Sequence, residues 1–159
     1  AFHGVHDSQL EDTVLKNYNA AYDADFLHLC TVYDGIKELI AELHAQGIAL
    51  AVLSNKPQPT TEKVITAFFG TDTFSVVFGQ REGIPIKPDP AGVYEIIQYL
   101  QCEKSECLYI GDTAVDMNTG NAAGLTTVGV LWGFRDRQEL EASHARFIIE
   151  KPAELLSLL

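Results

Sequence analysis

Apolar residues fall into short runs that alternate with helical stripes along the chain. Over 9–29, Val14, Leu15, Tyr18, Tyr22 and Leu29 recur at helical spacing with no Gly or Pro, which predicts a helix. After Asp34-Gly35 a second stripe, Ile36, Leu39, Ile40 and Leu43, leaves Lys37, Glu38 and Glu42 off the apolar face, and Gly47 closes that helix. Ile48–Leu53 is an unbroken apolar run of strand length. That pattern predicts a strand buried on both faces, stopped by Ser54-Asn55-Lys56-Pro57. The alternation then repeats. Thr60 or Thr61 caps a helix through Val64, Ile65, Phe68 and Phe69 to Gly70, and Phe74–Phe78 is a second strand. Gly79–Pro90 is a loop. Asp89 and Pro90 open a helix carrying Val93, Ile96, Ile97 and Leu100, and Cys107–Ile110 is a third strand ending at Gly111-Asp112. A helix over Ala114–Ala123 stops at Gly124, and Thr126–Val130 is a fourth strand. The pattern ends with a helix at Gln138–Ser143, a strand at Phe147–Ile149 and a last helix from Pro152 to Leu159.

Strands alternating with helices at this spacing predict an α/β fold, a parallel sheet joined by right-handed crossovers and covered on both faces. In such sheets function collects at the carboxyl ends of the strands. The polar residues sit at those ends: Ser54 and Asn55 after the first strand, Lys87 in the loop after the second, and Asp112 after the third. Asp116 follows Asp112 by four residues, so both fall on one side of the first helical turn. Acids also favour any helix N-terminus, and a strand-end serine or a lysine means little alone. Together on one rim they suit a divalent metal and an anion: carboxylates are hard oxygen ligands, an ammonium is a point charge, and a hydroxyl donates.

Composition narrows the field. The chain is 47% hydrophobic and 21% charged, with Lys+Arg 11 against Asp+Glu 22, a net charge of −11 and a pI near 4.7. That balance argues against nucleic acid and against anionic lipid, both of which require basic clusters. No apolar run is long enough to span a bilayer and no signal segment opens the sequence. Cys30, Cys102 and Cys107 form neither a disulfide framework nor a Cys-x-x-Cys site. A soluble cytoplasmic domain is expected. His3 and His6 share a helix face without a third ligand and read as a solvated pair. Tyr109, Trp132 and Phe134 read as core or loop packing.

The motifs Leu53-Ser54-Asn55-Lys56-Pro57, Gly79–Gly83 leading to Lys87-Pro88-Asp89-Pro90, Tyr109–Met117 and Gly129–Phe134 resemble the haloacid-dehalogenase superfamily, and within it the phosphoglycolate-phosphatase-like branch. The resemblance implies a Rossmann-like three-layer parallel sheet over 34–159, with residues 1–33 a remnant of a helical cap. It also implies Mg²⁺-dependent hydrolysis of a small phosphorylated metabolite through an aspartyl-phosphate. Ser54 matches the phosphate-binding hydroxyl with Asn55 beside it, and Lys87 the lysine that balances charge on phosphate and nucleophile. Asp112 matches a metal ligand, and Asp116 the acid that holds metal-bound water or orients Lys87.

One motif is missing. The family's nucleophile lies in Asp-x-Asp-Gly-Thr after an apolar strand, upstream of every motif here. Asp23-Ala24-Asp25 follows a helical stretch and lacks the Gly-Thr, so it reads as an acidic helix end. The chain opens on Ala1, with Met117 its only methionine. With the absent motif, this leads to the expectation that the sequence starts inside the cap and lacks the middle strand of the sheet. That strand's neighbours, ending at Leu53 and Ile110, would then leave buried backbone groups unpaired at about 1–3 kcal/mol each. Several such groups would exceed a typical total stability of about 5–15 kcal/mol, so residues 1–159 are not expected to hold the family fold in isolation. Either a segment beyond this sequence, or another chain, supplies the strand, or the two neighbours pair directly. Residues 1–159 alone should turn over little or no phosphoester. The alternative is a non-catalytic module that binds a phosphorylated ligand or a partner.

Overall fold

A computed structural model describes residues 30–159 together with Leu10, Thr13, Val14, Lys16, Asn17 and Leu27. The helix expected over 9–29 lies largely outside these residues, and His3, His6 and Asp23-Ala24-Asp25 lie wholly outside them. The chain divides into two units, Ala1–Thr31 and Val32–Leu159, and the elements that follow belong to the second.

In chain order these are α1 (Ile36–Ala45), β1 (Ala51–Pro57), α2 (Gln58–Phe69), β2 (Val76–Gln80), α3 (Ala91–Leu100), a 3₁₀ turn (Lys104–Glu106), β3 (Leu108–Gly111), α4 (Ala114–Ala123), β4 (Thr126–Val130), α5 (Arg137–Ala142), β5 (Phe147–Ile149) and a terminal 3₁₀ segment (Pro152–Leu158). All strand pairs are parallel, and helices lie on both faces. On one face of β3–β4–β5, Val128, Val130 and Ile149 pack against Leu39 and Leu43 of α1 and against Leu155. On the other face, Gly120 of α4 approaches Thr127 and Leu140 of α5 approaches Gly129, the two-residue alternation a strand requires. No helix among the described residues is long and apolar enough to cross a membrane.

The second strand lies two residues later than Phe74–Phe78, the last helix is a 3₁₀ segment, and two further elements differ from the sequence reading near the site. The first strand runs from Ala51 to Pro57, so Ser54-Asn55-Lys56-Pro57 continues it rather than stopping it. Pairing with β2 holds from Ala51↔Val76 to Leu53↔Phe78, slips, and resumes at Pro57↔Gln80; the polar stretch is a bulged extension along β2. In α2, Thr60 and Thr61 are buried inside the helix and do not cap it. The helix begins at Gln58 after Pro57, and the Thr61 hydroxyl donates to the Lys56 and Pro57 carbonyls.

The sheet is in two pieces. β1 pairs with β2, and β3–β4–β5 forms a second sheet, with no pairing between β1 and β3 among the described residues. Direct pairing of the two neighbours, one of the three sequence-based options, is therefore not what this chain adopts. Between them lies a cavity of about 480 Å³ bordered by Ala51 and Leu53 of β1 and by Leu108, Tyr109 and Ile110 of β3. Ala51 is exposed and Val52 and Leu53 only half-buried. Burial on both faces, read from the Ile48–Leu53 run, is thus not reached, because β1 faces this seam instead of another strand.

Candidate active site

The carboxyl ends of both sheets meet at one side chain, Lys87. On the β1 side, Asn55 clamps its backbone: the Asn55 amide donates to the Lys87 carbonyl at 3.0 Å and accepts from the Lys87 N–H at 2.9 Å. On the β3 side, Lys87 Nζ donates to Asp116 Oδ1 at 2.7 Å. Both side chains are mostly shielded, at 15% and 10% exposure, so the pair is held in a region where charge is only partly screened. A lysine 29 residues from its acid reaches it only because a loop after β2 and the first turn of α4 open at the same rim.

Asp116 is fixed twice over. Thr113 is the N-cap of α4, and its hydroxyl accepts the Asp116 N–H and donates to Oδ2 at 2.7 Å. Glu139 accepts the Ala114 N–H from the same helix start. Asp112 Oδ2 accepts the Phe134 N–H at 2.8 Å, while no hydrogen bond is made to Oδ1 among the described residues. Ser54 Oγ accepts the Lys56 N–H at 3.1 Å, closing a short turn that leaves its hydroxyl proton available to a ligand. Tyr109, on β3 beneath these groups, has its phenol held above the ordinary range by burial and then by the Asp116 charge, against a lowering hydrogen bond with Thr119. It remains a neutral phenol under working conditions.

Two glycines make room for the acids. A Cβ at Gly111 would overlap Asp116 Cβ and Cγ and stand 2.9 Å from Oδ2; one at Gly133 would overlap Asp112 Cβ and Oδ2. Gly111→Ala is therefore expected to push Asp116 off Lys87 and to cost about 1–3 kcal/mol, read from the urea midpoint. Gly92→Ala, whose Cβ would meet the mobile end of Leu53 at 2.7 Å, is expected to cost less.

The structure thus gathers Asn55, Lys87 and Asp116 through direct contacts, with Ser54 next to Asn55 in the chain and Asp112 four residues before Asp116. Its geometry sorts them. The Asn55 amide is taken up by the Lys87 backbone, and Asp116 by Lys87 and Thr113, which leaves Asp112 as the carboxylate with an uncommitted oxygen. No cluster of three His, Cys, Asp or Glu groups able to hold a metal forms among the described residues. Asp112 and Asp116 both offer hard carboxylate oxygens on this rim, and a Mg²⁺ site needs further oxygen ligands beside them. Sequence reasoning missed Thr113 and Gly133. Threonine three residues before an acid at a helix start is a capping signal that could have revealed the first. Phe134, read as packing, is 85% exposed beside Asp112, whereas Trp132 packs against the core.

Fold, rim and motifs define a hydrolase class, and the chain belongs to the haloacid dehalogenase-like hydrolase family, whose model matches residues 1–130. Among its relatives, a phosphoglycolate phosphatase of Pectobacterium atrosepticum is 32% identical over 129 residues, covering 81% of this chain and 55% of that protein. A phosphoglycolate phosphatase of Haemophilus influenzae is 30% identical over 146 residues, covering 92% of this chain and 65% of the relative. The chain therefore spans between about half and two thirds of the length of these curated relatives. A haloacid dehalogenase-like family hydrolase from Streptococcus pneumoniae shares the fold, with a TM-score of 0.84 and 21% identity over 97% of this chain and 71% of that one.

Proposed function

We propose that this chain carries the phosphate-binding rim of a Mg²⁺-dependent phosphatase for a small phosphorylated metabolite, 2-phosphoglycolate first among them. The observation that carries the reading is Lys87, a shielded ammonium held where two sheets end, between a clamp on one and an acid on the other. Phosphoryl transfer asks mainly for positioning and charge neutralisation, and these residues offer both. Lys87 neutralises phosphoryl oxygens as charge builds, Ser54 donates a hydrogen bond, and Asn55 and Asp116 act as positioning residues for Lys87. Asp112 would ligate the cation, which when bound supplies further neutralising charge on the phosphoryl group.

The nucleophilic aspartate is brought by an extended apolar strand seated in the seam, from a segment outside these 159 residues. Three features favour that occupant. Among the described residues both flanking strands have an unpaired edge, and buried backbone groups demand partners. The cavity's lining is almost wholly apolar, with Lys87 at the carboxyl end and Glu106 before β3 at the amino end. That polarity favours a parallel strand whose own carboxyl end bears the acid. More than a third of the length of each of these relatives also lies outside the match to this chain. The carboxylate attacks phosphorus and the ester oxygen leaves with a proton; water then attacks the acyl phosphate and restores the carboxylate.

The test is phosphate release from 2-phosphoglycolate by residues 1–159 mixed with Mg²⁺ and a synthetic apolar strand of about ten residues ending in Asp. Turnover should fall about 10³-fold with Lys87→Met, and a Lys87→Met protein as active as the wild type would overturn the reading. The absence of a nucleophile among the described residues also favours a second reading, a module that binds phosphate without turnover. Tight calorimetric binding of inorganic phosphate with no release in the presence of the strand would select it.

A further inference from the structure

Cys102 and Cys107 bracket the 3₁₀ turn between α3 and β3. The turn is closed by reciprocal capping: the Glu103 side chain accepts from the Glu106 backbone, and the Glu106 carboxylate accepts the Glu103 N–H at 2.8 Å. This folds the chain back on itself and sets the two sulfurs 3.4 Å apart, although they are not bonded. Both are only half-buried, and both border the amino end of the seam. A disulfide needs the sulfurs at about 2.05 Å, an approach of little more than an ångström that two side-chain rotations supply.

We propose that this dithiol is a modification site at which a hydroperoxide forms an intramolecular Cys102–Cys107 disulfide. The site is independent of the phosphoryl chemistry at the opposite end of the seam. The Cys102 sulfur attacks the peroxide oxygen, giving a sulfenic acid and releasing the alcohol, or water when the oxidant is hydrogen peroxide. The Cys107 sulfur then displaces the hydroxyl, which leaves as water with the thiol proton. Two thiols are oxidised by two electrons and the O–O bond is the group reduced. Closure fixes the short connection that sets the start of β3, the strand bordering the seam.

The surroundings set its rate. The Cys107 thiol donates to the Glu103 carbonyl at 3.3 Å and is pushed up to about 11, first by burial, then by Cys102 and the Glu106 carboxylate. Lys104, between the two cysteines in the chain, turns away to the Ala123 carbonyl and the face of Tyr94. With Cys107 held as a thiol, its displacement of the hydroxyl is the slow step near neutrality. Its rate should rise about tenfold per pH unit until the Cys107 thiol ionises.

The test treats the full chain with hydrogen peroxide, labels free thiols with iodoacetamide under denaturing conditions and cuts with trypsin. Lys104 lies between the two cysteines, so cleavage separates fragment 82–104, which holds Cys102, from fragment 105–135, which holds Cys107. The expected result is that the two fragments stay joined at their summed mass less two hydrogens, part on reduction, and leave Cys30 labelled. Two labelled cysteines after oxidation, progression to sulfinic acid without a link, or a link through Cys30 would each overturn the proposal. In Cys107→Ser the joined species should be absent, and its persistence would count against the proposal as well.

Discussion

Asp116→Ala is expected to lower stability by about 3–5 kcal/mol, because it leaves the Lys87 ammonium in a shielded rim with no counter-charge. The loss has two parts. Lys87 Nζ loses its 2.7 Å acceptor, and the Thr113 hydroxyl loses the carboxylate that it both donates to and orients. Removing both charges together tells a different story. The double change Lys87→Met with Asp116→Leu should recover most of the loss, since a well-packed apolar pair replaces an ion pair at little net cost. Urea unfolding of the wild type, both single variants and the double variant measures the coupling. A loss under about 0.5 kcal/mol for Asp116→Ala would mean that the pair is solvated and that Lys87 is not held by it.

The second large effect concerns the seam. Alternate backbone amides of Ala51–Leu53 and Leu108–Ile110 face a gap with no strand partner among the described residues, so their hydrogen exchange is expected to be fast for residues so near the core. An apolar strand peptide that ends in Asp should slow it. At one hundred times its Kd the peptide stabilises the bound form by about 2.7 kcal/mol, which corresponds to roughly 100-fold slower exchange at those amides. Protection should appear on β1 and β3 together and leave β5 unchanged, because only the former pair borders the cavity. A peptide with a central proline lacks the needed donor and should protect neither. Protection of one strand alone would mean that the seam is closed by something other than an inserted strand.

Much of this architecture was written in local patterns. Ala114–Ala123, Thr126–Val130 and Phe147–Ile149 occur with the bounds read from the sequence, helped by Gly124 between the helix and the strand after it and by Arg146 and Glu150 around the last strand. The first strand was read too early. Ile48 and Leu50 are apolar because they pack on the core, whereas Ser54–Pro57 are extended because β2 runs beside them, and only tertiary pairing reveals that. The rim was legible because Lys87 and Asp112 each follow a strand, and Ser54 stands where the regular pairing of β1 breaks off. The roles within it were not. That the Asn55 amide serves a backbone 32 residues away, or that Asp116 is divided between Thr113 and Lys87, depends on orientations the linear pattern does not encode. Phe134 misled for a related reason: its neighbours pack, but its own backbone is drawn to Asp112 and its ring is left outside.

The central claim is that this rim is one half of a phosphoryl-transfer site and that an acid carried into the seam is the other. The most direct measurement is Mg²⁺-dependent p-nitrophenyl phosphate turnover by residues 1–159 with two strand peptides, identical except that one ends in Asp and the other in Asn. The account predicts turnover at least about 10³-fold above background with the first and almost none with the second or with no peptide. Equal turnover with both peptides, or robust turnover by residues 1–159 alone, would contradict it.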